Sequence, residues 1–131
     1  MFLVHPGGPF WAAKDAGAWS IPKGEFEPGE EPLAAAKREF TEETGFAAEG
    51  DFLALSPVTQ KSGKTVHAWA LEMDCDPARL VSNTFSFQGR TFPEVDRAAW
   101  FGTADAKRKI LPGQAPLLDE LAHLLADRSS R

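Results

Sequence analysis

The run GEFEPGEEPLAAAKREFTEETGF, Gly24 to Phe46, constrains this chain more than any other segment. Pro32 suits a first helical position, LAAAKREF is rich in strong helix formers, and Gly45 suits the left-handed residue that ends a helix. The spacing predicts a helix over 32–44. Residues three and four apart share a face, so Glu39, Glu42 and Glu43 project together, while Leu33, Ala36, Phe40 and Thr44 line a less polar side. These acids are expected to face outward as a cluster. Like charges at this spacing repel by a few tenths of a kcal/mol per pair, and two of them crowd the helix C-terminus, where the macrodipole disfavours anions. A bound cation would offset that repulsion.

The donor set selects the kind of cation. Carboxylate oxygens on a rigid helix suit a hard divalent ion such as Mg²⁺ or Mn²⁺, and the run contains no thiolate or imidazole to favour zinc. A solvated acidic face would account for three clustered glutamates. It would not account for Glu30, Arg38, both glycines and the apolar residues at 40 and 46, all at fixed intervals along the same run.

Taken together, Gly24, Glu30, Arg38, Glu39, Phe40, Glu42, Glu43, Gly45 and Phe46 fill every fixed position of a Nudix box, and the chain resembles the Nudix hydrolase family. The resemblance implies an α/β fold, an α/β/α sandwich with a mixed sheet. It also implies hydrolysis of a pyrophosphate bond in a nucleoside diphosphate linked to another moiety, with Mg²⁺ or Mn²⁺ as cofactor. By resemblance Glu39, Glu42 and Glu43 are metal ligands, Gly24 lends a backbone carbonyl, Glu30 supports the cluster and Arg38 orients a glutamate. Two carboxylates compete for the role of general base, Glu39 within the box and Glu94 in the later segment FPEVDRAAWF. The approach IPKGEFEPGEE resembles that of the diadenosine polyphosphate and diphosphoinositol polyphosphate hydrolases more than that of the oxidised-nucleotide sanitising enzymes, and dinucleoside polyphosphates or (d)NTPs are the expected substrates. A non-catalytic nucleotide-sensing module of the same fold is the alternative, and the intact box counts against it.

The rest of the chain frames this site. With 131 residues, 43% hydrophobic and 25% charged, one domain over 1–131 is expected. The net charge of −5 argues against a general nucleic-acid surface and leaves a small-molecule nucleotide as the expected partner. Cys75 is the only cysteine, and the sequence contains no signal peptide or spanning apolar segment, so a reducing cytoplasm and no membrane are expected. Nothing frames Cys75 as a nucleophile.

Apolar runs predict strands at 2–5, 18–21, 52–55, 66–73 and 98–101, and a hairpin turns at Ser62 and Gly63. Helices follow from Thr103, as N-cap, to Ile110 and from Pro116 to Arg128, the latter carrying Leu117, Leu118, Leu121, Leu124 and Leu125. Nudix domains usually place a strand and turn before the segment corresponding to FLVHPGGPFW, where this sequence begins, so the N-terminal strand is expected to be shortened or missing. An uncovered inner strand would favour pairing, and a homodimer is one way to cover it.

For the substrate, Phe10, Trp11 and Trp19 are candidates for stacking on a base, and Lys23, Lys14, His5, Ser20, Lys61 and Lys64 for meeting phosphates. Among these, Lys23, Trp11 and Lys61 are the chosen substrate-binding candidates. His67 and His123 read as structural.

Overall fold

Proline and glycine bracket the first helix as the sequence predicts. The computed structural model describes residues 1–22 and 29–129, the side chains of Arg128 and Ser129 excepted. Helix α1 spans Pro32–Thr44, and Gly45 follows at φ 79°, the left-handed conformation that glycine adopts without strain. Its N–H donates to the Thr41 carbonyl. Glu31 caps the other end, its carboxylate accepting the Leu33 N–H.

Strand β1 (Phe2–Pro6) lies antiparallel to β8 (Val95–Trp100), with Phe2 opposite Trp100 and Pro6 opposite Val95. Alternation along β1 sends successive side chains to opposite faces. Phe2 stands 6.4 Å from the rings of both Phe40 and Phe46 and 5.3 Å from Trp100, which seats α1 on one face. Leu3 points the other way into a core with Trp19, Ala106, Ile110 and Leu118. That core is closed by α2 (Thr103–Lys109) and α3 (Ala115–Ser129). The sandwich follows directly from this parity. Leu3, Ile110 and Leu117 are each at most 2% exposed, and burying such a side chain contributes about 1.5–3 kcal/mol.

The strands pair two by two. Strands β2 (Phe52–Ala54) and β5 (Trp69–Leu71) form one antiparallel ladder, β3 (Val58–Thr59) and β4 (Thr65–Val66) a second, β6 (Thr84–Phe87) and β7 (Arg90–Pro93) a third. The expected mixed sheet is therefore carried, among the described residues, by four antiparallel ladders and two isolated bridges. One bridge, Val4 with Ser20, is antiparallel, and the other, Trp19 with Ile110, is parallel.

Three expectations change. The run 66–73 divides because β4 pairs with β3 and β5 with β2. The run 18–21 supplies two bridges at Trp19 and Ser20 rather than a strand. Gly102, not Thr103, is the N-cap of α2, without a side-chain hydrogen bond. The β6–β7 hairpin is an addition to the strands that the apolar runs predict. Its turn places Gln88 at φ 52° and Gly89 at φ 77°, the paired left-handed conformations of a type I′ turn.

Candidate active site

The acidic face of α1 is organised by one guanidinium. Arg38 Nε donates to Glu30 Oε2 at 2.8 Å and Nη2 to Glu30 Oε1 at 2.9 Å, a two-pronged pair that fixes the plane of the group. Its remaining nitrogen, Nη1, donates to Glu39 Oε1 at 2.8 Å and to both oxygens of Glu42 at 3.2 Å. The hydrogen bonds Arg38 donates, to Glu30 first and then to Glu42 and Glu39, hold its pKa well above the ordinary value. Arg38 thus bonds to three glutamates at once.

The same contacts test whether the acids fit a metal. Glu39 and Glu42 converge on a single cationic nitrogen, so two hard oxygen donors already reach a common point on the helix. That donor chemistry fits Mg²⁺ or Mn²⁺. Among the described residues no group of three His, Cys, Asp or Glu side chains converges as a ready ligand set. The cluster is also less outward than expected: the Glu39 side chain is 17% exposed and that of Glu42 42%. Glu43 is half-buried.

A backbone relay carries the site away from the helix. The Asn83 N–H donates to the Glu42 carbonyl at 2.8 Å, the Glu94 N–H to the Asn83 carbonyl at 2.8 Å, and the Gly7 N–H to the Glu94 carbonyl at 2.9 Å. Glu94 is therefore two backbone hydrogen bonds from Glu42, and its side chain is exposed. Beyond it opens a cleft of about 390 Å³, lined by the Gly7–Gly8 turn, Phe10, Trp11, Phe85, Phe87 and Glu94.

The NUDIX domain family model matches residues 1–121. This chain belongs to the NUDIX family. An mRNA-decapping protein, g5R, from African swine fever virus is 38% identical over 98 residues, which are 67% of this chain and 39% of that protein. A bis(5'-nucleosyl)-tetraphosphatase (asymmetrical) from Rattus norvegicus is 43% identical over 61 residues, 42% of each chain. The chain thus spans about two fifths of the length of these curated relatives. The solution structure of the E. coli ORF135 protein superposes with a TM-score of 0.66 at 25% identity, covering 99% of this chain and 84% of that one.

Within this NUDIX domain the remaining candidates separate. Gly24 and Lys23 lie outside the described residues. Trp11 and Phe10 line the cleft, and the Lys14 ammonium stands 3.8 Å from the Phe10 ring centre and 5.2 Å from that of Trp11. Trp19 is no platform for a base, because it is 4% exposed, packed against Phe101 and tied through Nε1 to Asp15. His5 is fully buried, so it cannot meet a phosphate. Ser20 is turned to Gln114 and the Ile21 carbonyl. Lys61 sits at the tip of the β3–β4 hairpin, which packs beside Gly113, and is not part of the cleft lining.

Phe85 and Phe87 were missed with their hairpin. The alternating TFSF before Gln88-Gly89 was the available signal. No helix among the described residues is long and apolar enough to cross a membrane.

Proposed function

We propose that this chain is a divalent-metal-dependent pyrophosphohydrolase of nucleotide derivatives, with dinucleoside polyphosphates favoured over (d)NTPs. The observation that carries the reading is the convergence of Glu39 and Glu42 on one cationic nitrogen, with Glu30 locked behind it. The substrate preference is supported by the tetraphosphatase relative and by the approach IPKGEFEPGEE.

Glu39, Glu42 and Glu43 would hold Mg²⁺ or Mn²⁺. The ion, when bound, supplies charge neutralisation at the diphosphate and activates water. Arg38 keeps the carboxylates from splaying apart and so acts as a positioning residue. Glu94 is the better general base. Glu39 already accepts from a guanidinium, whereas Glu94 is exposed and lines the cleft, which leaves it open to take the proton of an attacking water.

The test is product release from dinucleoside polyphosphates, nucleoside triphosphates, nucleotide sugars and dinucleotide cofactors, with Mg²⁺, with Mn²⁺ and with EDTA. Metal-dependent turnover that disappears in Glu42→Gln and Glu43→Gln is expected. Turnover surviving both substitutions would overturn the site. Tight binding of one nucleotide without turnover of any would favour a sensing module instead.

A further inference from the structure

We infer that Ser82 is the positioning residue of the general base: its hydroxyl fixes the backbone on which Glu94 stands and so aims that carboxylate. The inference rests on the hydrolase reading above and names what holds its base in place.

Glu94 lies between β7, which ends at Pro93, and β8, which begins at Val95, and its side chain is exposed. A side chain leaves Cα in a direction set by the two planar peptide units that meet there, so holding both units fixes the Cα–Cβ bond. At Glu94 both are held. On one side the Glu94 N–H donates to the Asn83 carbonyl at 2.8 Å. On the other the Glu94 carbonyl accepts from the Gly7 N–H at 2.9 Å, and the N–H of that same peptide unit, Val95, donates to Ser82 Oγ at 2.9 Å. Only the last of these bonds reaches a side chain.

The Ser82 hydroxyl also donates to the Asn83 carbonyl at 2.8 Å, the oxygen that accepts the Glu94 N–H. A hydroxyl can do both, having one donor and two lone pairs, and it thereby links the two peptide units that flank Glu94. Val95 is 4% exposed, so its N–H has little water to turn to if Ser82 Oγ is removed, and the link must shift to find another acceptor.

The backbone on either side of Ser82 is tied to the box helix. The Val81 N–H donates to the Thr44 carbonyl at 2.9 Å and the Asn83 N–H to the Glu42 carbonyl at 2.8 Å. Carbonyls of a last helical turn lack partners within the helix, and here the 81–83 segment supplies them. Gly45 permits the approach, since a Cβ there would lie 3.0 Å from the Val81 carbonyl oxygen. Ser82 therefore sits where the turn that carries Glu42 and Glu43 is joined to the link that carries Glu94.

Kinetics with Mg²⁺ on diadenosine tetraphosphate, or on the fastest substrate of the panel above if that one is inert, test the assignment. Ser82→Ala should lower kcat by about 10–100-fold with KM little changed, the loss expected of a misplaced reacting group. Glu94→Gln should lower kcat by roughly 10²–10⁴-fold, the contribution of a general base. Adding Ser82→Ala to Glu94→Gln should cost nothing more, because the hydroxyl acts through that carboxylate. Ser82→Thr keeps the hydroxyl and should retain most of the parent kcat. Amide hydrogen exchange gives a readout apart from turnover, and the Val95 N–H should exchange faster in Ser82→Ala. Circular dichroism checks that the variants fold. Equal loss from Ser82→Ala in both backgrounds, parent-level turnover in Glu94→Gln, or unchanged exchange at Val95 overturns the assignment. If Glu42→Gln abolishes turnover while Ser82→Ala keeps the parent kcat, the positioning role falls and the hydrolase reading stands. If no substrate of the panel turns over in the parent, both fall, and faster Val95 exchange then marks Ser82 as a brace of the fold alone.

Discussion

His5 Nδ1 lies 2.7 Å from Asp96 Oδ1, joining β1 to β8 through a side chain that is itself fully buried. The other ring nitrogen, Nε2, is 2.6 Å from the Lys14 carbonyl. Both partners accept, so a neutral ring satisfies one of them and the imidazolium both. His5 thereby anchors the turn that carries Phe10, Trp11 and Lys14 to the sheet. Replacing it with Leu keeps apolar volume but strands an acceptor, for which the cost is about 1–3 kcal/mol. Urea unfolding of His5→Leu should show a loss of that size, and a change below about 0.5 kcal/mol, the scatter of ordinary surface substitutions, would refute the anchor.

The guanidinium of Arg38 has a different sensitivity. Its work is geometric, since Nε and Nη2 grip Glu30 while Nη1 holds Glu39 and Glu42. Lysine keeps the charge and loses the fork. Arg38→Lys should therefore lower metal-dependent turnover by about 10–100-fold, as loss of partners behind metal ligands does. Thermal stability should change less than activity, because lysine keeps the charge in a network that is half-buried rather than enclosed, with Arg38 27% and Glu30 and Glu39 each 17% exposed. Equal activity in Arg38→Lys would show that charge alone suffices.

How far the sequence could be read follows from where each determinant lies. Helix α1 was legible because Pro32, Gly45 and the acid spacing are local signals, and they set its limits. Glu94 was legible as an acid near the end of a loop, and the Asn83 relay explains its place. Trp11 and Trp19 look alike in sequence, yet one lines the cleft and the other is core, because Trp19 is held in a backbone bridge to Ile110 while Trp11 stays in a turn. The hairpin at Gln88-Gly89 was hidden by its glutamine. Asn or Asp is the usual partner of Gly in such turns, so the left-handed φ of 52° at Gln88 has no strong residue signal.

The close approach at Gly7 is open to direct test. A Cβ there would lie 1.9 Å from the Pro93 carbonyl oxygen, a backbone atom that cannot swing aside. Gly7→Ala must therefore push the end of β1 from the hairpin, breaking the Gly7 N–H bond to Glu94. Overpacking of this kind costs about 1–3 kcal/mol. A lower urea midpoint together with lost turnover is expected. Alanine at Gly113, where the nearest atom would be the Gln60 side chain at 3.6 Å, serves as the tolerant comparison.

Cys75 should be a sluggish thiol. Burial raises its pKa, and the neighbouring charges of Asp74 and Asp76 raise it further. The thiolate is the reactive form, so alkylation at neutral pH should be slower than for a free cysteine and should accelerate as pH rises past the ordinary thiol range. Asp74→Asn with Asp76→Asn should speed the reaction at fixed pH. A Cys75 that reacts at neutral pH faster than a free thiol would contradict this setting.

Asp15 gives the fold a dependence on acid. Its carboxylate accepts from the Lys109 ammonium and from Trp19 Nε1, tying the 8–17 turn to α2 and to the core tryptophan. The Lys109 hydrogen bond, then the Trp19 one, lower its pKa from the ordinary 3.8. A carboxylate whose folded pKa is depressed contributes its full stability above the unfolded value and loses it as pH falls through the folded one. The contribution should thus be complete at pH 7 and begin to fade only below 3.8. Asp15→Asn removes the charge at every pH. The melting temperature of the parent should exceed that of Asp15→Asn at neutral pH, and the gap should close in acid below that value. A gap that persists unchanged through the acid range would show that the amide, not the charge, is what the site cannot accept.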